Sequence, residues 1–290
     1  MFIQLKNHKV HIFSKMEIDS SKKSILFIPG AGMDHRILSM FKMDSFVDEY
    51  NIIAIDLPGH GYTIGPLFYD VESHTKLCIE VLNELNLKNL VLCGHSWGGL
   101  IALDLSTQYE NDMTICMNIA YPFLVGDLLL DYAKGNLDQC VEFLMKYGIY
   151  KMPETEIKTL GFGVKGSGFY GRSKGVIKSP YGTKTVEDDP EREIKLYPLK
   201  RLFNQTEKEI SSIDLKSCTS FRLKDNQISN IKNVKYIFCD KDKLARFDAE
   251  NVILKNINPE EGVLILKETG HFPYFEDPDQ LEDIFKKILN

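Results

Sequence analysis

Short apolar runs alternate with longer segments of helical spacing over residues 24–119. The apolar runs are SILFIP, NIIAID, NLVLC and MTICMNIA, and several of their side chains are β-branched. Between them, residues 35–46, 71–85 and 100–109 carry apolar side chains at helical spacing. Strand-length runs separated by helices are typical of βαβ units. The pattern therefore predicts an α/β fold with a mostly parallel central sheet flanked by helices.

The same alternation returns towards the end of the chain. The runs VKYIFC and VLILKE frame a predicted helix at residues 249–255, and a last helix is predicted at residues 280–289. Residues 121–230 instead show amphipathic helical spacing and a glycine-rich, charged stretch without strand-like runs. We therefore predict that residues 1–120 and 231–290 form one core domain, and that residues 121–230 form a mainly helical cap insertion.

Composition and charge narrow the classes of partner. The chain has 290 residues, 43% of them hydrophobic, and a net charge of −6, which argues against a basic nucleic-acid-binding face. No apolar stretch approaches the roughly 18 residues of a membrane span, and the first residues alternate apolar with polar. The six cysteines form no C-x-x-C pair and are expected to be reduced and buried. We expect a cytoplasmic protein that binds neither nucleic acid nor membrane. No feature of the sequence indicates its oligomeric state.

A serine motif lies at the junction between a predicted strand and a predicted helix. Gly94-His95-Ser96-Trp97-Gly98 fits G-x-S-x-G, follows the run NLVLC and precedes GLIALDLSTQY. In such an elbow the serine hydroxyl projects from the sheet edge, and the next backbone amide can donate to an oxyanion. The motif predicts Ser96 as nucleophile and the Trp97 amide as an oxyanion donor. The alternative is a helix N-cap serine flanked by two glycines.

With this motif in place, the chain resembles the α/β-hydrolase fold family over nearly its whole length except residues 121–230. Pro29-Gly30-Ala31-Gly32 follows SILFI where the family carries its oxyanion loop, with Pro29 in place of the usual histidine. The resemblance implies that the Ala31 amide is the second oxyanion donor. A plain tight loop is the alternative for these four residues.

The resemblance also implies a base and an acid for the serine, whose hydroxyl is a poor nucleophile until a base takes its proton. His271 lies in a Gly-His loop after the run VLILK, like the family's catalytic histidine. The loop Cys239-Asp240-Lys241-Asp242 resembles the family's G-x-x-D turn with cysteine in the glycine position, and the match selects Asp242. Asp240 remains a rival because the glycine is missing, and Asp127 is a further alternative. The order serine, aspartate, histidine is that of α/β-hydrolases.

These residues imply carboxylic ester hydrolysis of a small acyl compound through an acyl-enzyme. Met33, His35 and Phe272 are expected to contact the substrate, and His60 to border the pocket. No H-E-x-x-H motif or metal-ligand spacing is present, so we expect neither a metal nor another cofactor. The glycine-rich residues 161–175 contain G-x-G-x-x-G twice, but no strand precedes them, so a lid or surface loop is favoured over a nucleotide site.

Other members of the same fold are open alternatives. A serine at the elbow argues against haloalkane dehalogenase and epoxide hydrolase activity, because those enzymes use an aspartate there. Carbon–carbon bond hydrolases and cofactor-free haloperoxidases share the triad. A non-catalytic hydrolase-like ligand-binding protein would keep the same pocket without turnover.

Overall fold

The computed structural model describes residues 1–153, 190–203, 206, 209–228, 231–246 and 262–289. Eight strands in these ranges form one sheet in the order β1-β2-β4-β3-β5-β6-β7-β8. They are β1 (Phe2–Gln4), β2 (Lys9–Ser14), β3 (Lys23–Ile28), β4 (Tyr50–Ile55), β5 (Leu90–His95), β6 (Met113–Met117), β7 (Val234–Cys239) and β8 (Val263–Leu266). β2 pairs antiparallel with β1 and β4, and the other neighbours are parallel. The predicted mostly parallel sheet is confirmed.

Helices connect the strands. They are α1 (Val71–Leu85), α2 (Trp97–Ser106), α3 (Asp127–Gly135), α4 (Leu137–Gly148), α5 (Pro190–Phe203), α6 (Ile210–Ser220), α7 (Asp225–Ile228), α8 (Pro273–Glu276) and α9 (Pro278–Leu289). The prediction of a helix at residues 35–46 is wrong in the type of helix. The structure has two short 3₁₀ helices there, His35–Met40 and Asp44–Phe46. The helix predicted at residues 249–255 lies outside the described residues.

Both faces of the sheet are covered. Along β3, Ile25 and Phe27 belong to one buried apolar cluster, and Leu26 and Ile28 belong to another on the opposite face. Successive side chains of a strand point to opposite faces, so a strand buried on both sides reads as a continuous apolar run. This explains why the parallel strands lack the alternation of apolar and polar residues. All six cysteines are buried and unpaired.

Residues 121–230, called the insertion below, contribute α3 to α7 and no strand within their described part. Apolar side chains of these helices, among them Leu144, Leu199 and Phe203, belong to the same buried cluster as Phe27 of the sheet. The described part of the insertion is thus helical, in agreement with the predicted fold class, whereas its bounds and its role as a separate cap domain stay predictions. The glycine-rich residues 161–175 lie outside the described ranges. Among the described helices, none combines the length and apolar character needed to cross a membrane.

Candidate active site

Ser96 lies in the turn between β5 and α2. Its backbone has φ 52° and ψ −121°, in the region that side chains other than glycine rarely adopt. Its amide donates to the Met117 carbonyl at 2.8 Å, and its carbonyl accepts from the Gly99 amide at 2.9 Å. Such a conformation costs on the order of 1–3 kcal/mol and persists only where the surroundings impose it. The turn therefore holds the serine in a strained elbow at the carboxyl edge of β5.

The two glycines of the motif are required by close backbone approach. A Cβ added to Gly94 would lie 2.2 Å from the Gly98 carbonyl oxygen. A Cβ added to Gly98 would lie 2.2 Å from the carbonyl oxygens of Ile28 and Pro29. Real Cβ atoms do not approach backbone oxygens so closely, so any side chain would force the strand, elbow and helix apart. The G-x-S-x-G spacing thus has a packing cause as well as a chemical one.

His271 is hydrogen-bonded to a buried carboxylate. Its Nδ1 lies 2.7 Å from Asp242 Oδ2, and both residues are buried. The other oxygen, Oδ1, accepts from the amides of Leu244 at 2.7 Å and Ala245 at 3.0 Å. Because the two amides engage Oδ1, the carboxylate presents Oδ2 to the imidazole. In the neutral ring this arrangement favours the tautomer with the proton on Nδ1, which leaves the lone pair of Nε2 to accept a proton.

The rival acids lie elsewhere. Asp240 is exposed, and its carboxylate is 3.6 Å from Lys241 Nζ. Asp127 is the exposed first residue of α3. Among the three candidate acids, the structure thus brings Asp242 to His271.

A buried glutamate organises the loop that carries His271. The Glu276 carboxylate accepts from four backbone amides: those of Tyr150, Lys151, Gly270 and Phe272. Burial raises the pKa of Glu276, although these amide donors favour its charged form. The His271 carbonyl in turn accepts from His95 Nε2 at 2.8 Å, which ties the loop to the serine elbow.

A narrow cavity of about 30 Å³ joins the reactive residues. It is lined by Gly30, Ala31, Met33, His95, Ser96, Leu144, Phe203, Ser211, Leu215, His271 and Phe272. The structure thus brings together Ser96, His271, Ala31, Met33 and Phe272 of the expected site. The Trp97 side chain is fully buried behind the elbow, and its amide is at the first position of α2, where helix amides have no intrahelical acceptor.

His35 is not brought to this cavity, which corrects the expectation that it contacts the substrate. Its Nδ1 lies within 2.9 Å of both oxygens of Asp56, whose Oδ2 also bonds His11 Nδ1 at 2.7 Å. In the described ranges, these three residues are the group whose ligand atoms lie close enough to hold a metal, within 4.8 Å of one another. The Asp56 oxygens also accept from the amides of His35 and Tyr62, so the carboxylate already has a full set of donors. We assign this cluster to fixing the turn after β4.

His60 is also away from the cavity and forms a buried ion pair. Its Nε2 lies 2.9 Å from Asp214 Oδ2 on α6, and its Nδ1 lies 3.2 Å from the Pro58 carbonyl. Burial lowers the pKa of His60, but the charge and hydrogen bond of Asp214 outweigh it, so the pKa is raised. Because both nitrogens face acceptors, the protonated ring can donate a hydrogen bond from each of them.

Side chains of helix α6 form hydrogen bonds with groups on both sides of the predicted oxyanion hole. Asp214 Oδ2 accepts from the Gly32 amide at 2.8 Å, one residue after Ala31. Ser217 Oγ accepts from Trp97 Nε1 at 2.7 Å. Sequence reasoning missed Asp214 and Ser217. No distinctive signal was available, because seven of the eleven residues of α6 are polar.

Known proteins share this architecture. A model of the Alpha/beta hydrolase family matches residues 25–284. The chain belongs to this family. The sheet order, the strained elbow and the cavity beside Ser96 of this alpha/beta hydrolase agree with that membership.

Curated relatives of this alpha/beta hydrolase are distant. Epoxide hydrolase 1 of Caenorhabditis elegans is 29% identical over 126 residues, which are 42% of this chain and 30% of the relative. Putative esterase/lipase 1 of Mycoplasma pneumoniae is 22% identical over 254 residues, 83% of this chain and 82% of the relative. The chain thus matches less than a third of the nematode protein but most of the mycoplasma one.

Solved structures match over the whole chain. The enol-lactonase of Burkholderia xenovorans LB400 has a TM-score of 0.72 at 16% identity, covering 100% of this chain and 99% of that chain. The esterase of Exiguobacterium antarcticum has a TM-score of 0.70 at 18% identity, with the same coverage. At these identities the likeness shows the fold alone.

Proposed function

We propose that this alpha/beta hydrolase cleaves carboxylic esters with Ser96 as nucleophile, His271 as general base and Asp242 as the acid that orients it. The observation that carries the proposal is the 2.7 Å hydrogen bond from His271 Nδ1 to buried Asp242, with His271 and Ser96 lining one cavity. An imidazole held in this tautomer can take the serine proton on Nε2 and return it to the leaving alcohol.

In the proposed reaction, Ser96 Oγ attacks the ester carbonyl as His271 takes its proton, and a tetrahedral oxyanion forms. The amides of Ala31 and Trp97 stabilise that oxyanion, and the partial positive charge at the start of α2 supports the Trp97 amide. Collapse of the intermediate expels the alcohol, which receives the proton from His271. Water then attacks the acyl-enzyme with His271 again as base, which releases the carboxylic acid.

Some relatives are named epoxide hydrolases, but two observations argue against that activity for this chain. Opening an epoxide by nucleophilic attack with an aspartate requires a carboxylate at the elbow, where this chain has Ser96. The matched stretch also covers only 30% of the nematode relative. The mycoplasma relative, whose name is esterase/lipase, is matched over 82% of its length and agrees with the proposal.

Labelling with a fluorophosphonate probe tests the proposal, because the probe reacts only with a serine that a neighbouring base activates. We expect stoichiometric labelling of Ser96, located by peptide mass spectrometry. Labelling should disappear in Ser96→Ala and fall strongly in His271→Ala. Absence of labelling in the folded wild-type protein, or labelling that is indifferent to His271→Ala, would refute the serine mechanism and favour a ligand-binding role.

A further inference from the structure

Ser211 is a buried hydroxyl in the wall of the cavity, and the proposed reaction does not use it. The residue is 2% exposed and lines the cavity together with Ser96 and His271. Within the described part of the chain, its Oγ has no hydrogen-bond partner. Buried polar groups in proteins nearly always have a partner, so a hydroxyl without one at a cavity wall points to a partner that arrives with the ligand.

The position of this hydroxyl is fixed by its own helix. Asp214 and Ser217 lie three and six residues further along α6, and they bind the Gly32 amide and Trp97 Nε1. A Cβ added to Gly32 would lie 2.5 Å from Ser211 Oγ, so the hydroxyl lies directly beside the oxyanion loop. A group held in this way loses little conformational freedom when it forms a hydrogen bond.

The surroundings make Ser211 distinctive. The remaining side chains at the wall are mostly apolar: Ala31, Met33, Leu144, Phe203, Leu215 and Phe272. His95 also lines the cavity, but its Nε2 is bonded to the His271 carbonyl. With only about 30 Å³ available, substrate atoms near the reacting carbonyl must lie against these walls. In an apolar site, one placed hydroxyl discriminates between substrates that can and cannot bond to it.

We propose that Ser211 determines specificity by donating a hydrogen bond from Oγ to an oxygen that the substrate carries within a few bonds of its scissile ester carbonyl. The preferred substrates are then alkoxy-, hydroxy- or oxo-substituted esters, not plain aliphatic ones. The inference rests on the proposed ester hydrolysis and adds a substrate class to it. This oxygen lies in either the acyl part or the alcohol part of the ester, and in either place it accepts the same hydrogen bond from Ser211.

Isosteric ester pairs test the proposal. In the acyl arm, p-nitrophenyl methoxyacetate is compared with p-nitrophenyl butyrate, which replaces the ether oxygen by a methylene. In the alcohol arm, 2-methoxyethyl butyrate is compared with butyl butyrate. Each kcat/KM is divided by the rate constant for hydroxide-catalysed hydrolysis to remove intrinsic reactivity. We expect the wild type to prefer the oxygenated ester about tenfold in one arm, and Ser211→Ala to abolish that preference.

Matched variants separate the hydroxyl from its surroundings. Ser212→Ala changes the adjacent buried serine, which does not line the cavity, and should keep the preference. Ser211→Thr retains a hydroxyl and should keep most of the preference for the oxygenated ester. Ser211→Ala should unfold at the wild-type temperature or above, since the lost hydroxyl has no protein partner in the described ranges. If the alanine variant does not fold, Ser211→Cys, a weak donor of similar size, takes its place.

Two results overturn the inference while leaving the proposed function intact. One is an unchanged preference in Ser211→Ala. The other is an equal loss of kcat on all four esters, which would make Ser211 an oxyanion donor without a role in specificity. A folded wild-type protein that hydrolyses none of the four esters would instead refute the proposed function, and the inference with it.

Discussion

Replacing Asp242 by asparagine changes one atom and, by the local geometry, the tautomer of His271. Oδ1 accepts from the amides of Leu244 and Ala245, so the asparagine oxygen must stay on that side. Its NH₂ group then faces His271 Nδ1, where the carboxylate Oδ2 now lies at 2.7 Å. The NH₂ can only donate, so Nδ1 becomes an acceptor and the proton moves to Nε2. An imidazole with its proton on Nε2 cannot take the proton of Ser96.

The size of the effect follows from the cost of the alternative orientation. Turning the amide to restore the active tautomer would place NH₂ against two backbone N–H groups and remove two hydrogen bonds, at about 1 kcal/mol each. About 2 kcal/mol leaves only a few per cent of molecules in the active arrangement, and the charge that stabilises the imidazolium is lost as well. The small active population alone lowers kcat by about 30-fold, and with the lost stabilisation of the imidazolium we expect a total fall of about 10⁴-fold, as for the same substitution in a serine-protease triad.

The assay is steady-state hydrolysis of p-nitrophenyl butyrate at pH about 8, above the usual histidine pKa. Asp240→Asn is the matched control, since Asp240 is exposed and adjacent in the chain, and it should retain wild-type kcat within about twofold. Thermal unfolding of both variants verifies that they fold. The assignment is refuted if Asp242→Asn keeps more than about a tenth of the activity, or if Asp240→Asn loses as much.

Three further substitutions test the supporting structure. Gly98→Ala should give no folded, active protein, because its Cβ would lie 2.2 Å from two carbonyl oxygens; near-normal ester turnover and melting temperature would contradict the packing account. His60→Gln should lower the melting temperature most below about pH 6.5. The pairing with Asp214 raises the pKa of His60, so it stabilises the folded protein while the ring is charged, and this stabilisation is lost as the pH rises through the raised pKa. Melting curves across pH check this, and a deficit that grows with pH would contradict it. Glu276→Ala should lower the free energy of unfolding in urea by about 2–3 kcal/mol and reduce kcat, because four amides of the His271 loop lose their acceptor; unchanged stability would show that water replaces the carboxylate without cost.

The sheet was predictable because its strands are buried on both faces. Runs such as SILFI and VKYIFC are mostly apolar, with Ser24 and Lys235 as polar positions, and the structure places them in β3 and β7. The segment at residues 35–46 misled for a related reason. Its buried residues Ile37 and Leu38 fit the apolar spacing of an α-helix. The chain instead forms a 3₁₀ helix there, and the Asp34 side chain caps its N-terminus. Local spacing does not distinguish these two helix types.

The residues that were missed or misplaced depend on contacts between distant parts of the chain. His35 follows the oxyanion loop closely in sequence, but Asp56, 21 residues away, holds its ring outside the cavity. Asp214 contacts the Gly32 amide across 182 residues. Nothing in the sequence of α6 alone reveals which backbone amide its carboxylate will meet. The motif residues were predictable because the elbow and the loops after β7 and β8 are local turns at the end of strands.

The attachment of α6 to the oxyanion loop limits how this enzyme can diverge or be engineered. Exchanging residues 121–230 for the corresponding segment of another family member would remove the acceptors of both Gly32 and Trp97 along with part of the cavity wall. Under the proposed function, such an exchange changes selectivity and turnover together, so a chimera with a foreign segment here should carry an aspartate and a serine at the positions of Asp214 and Ser217.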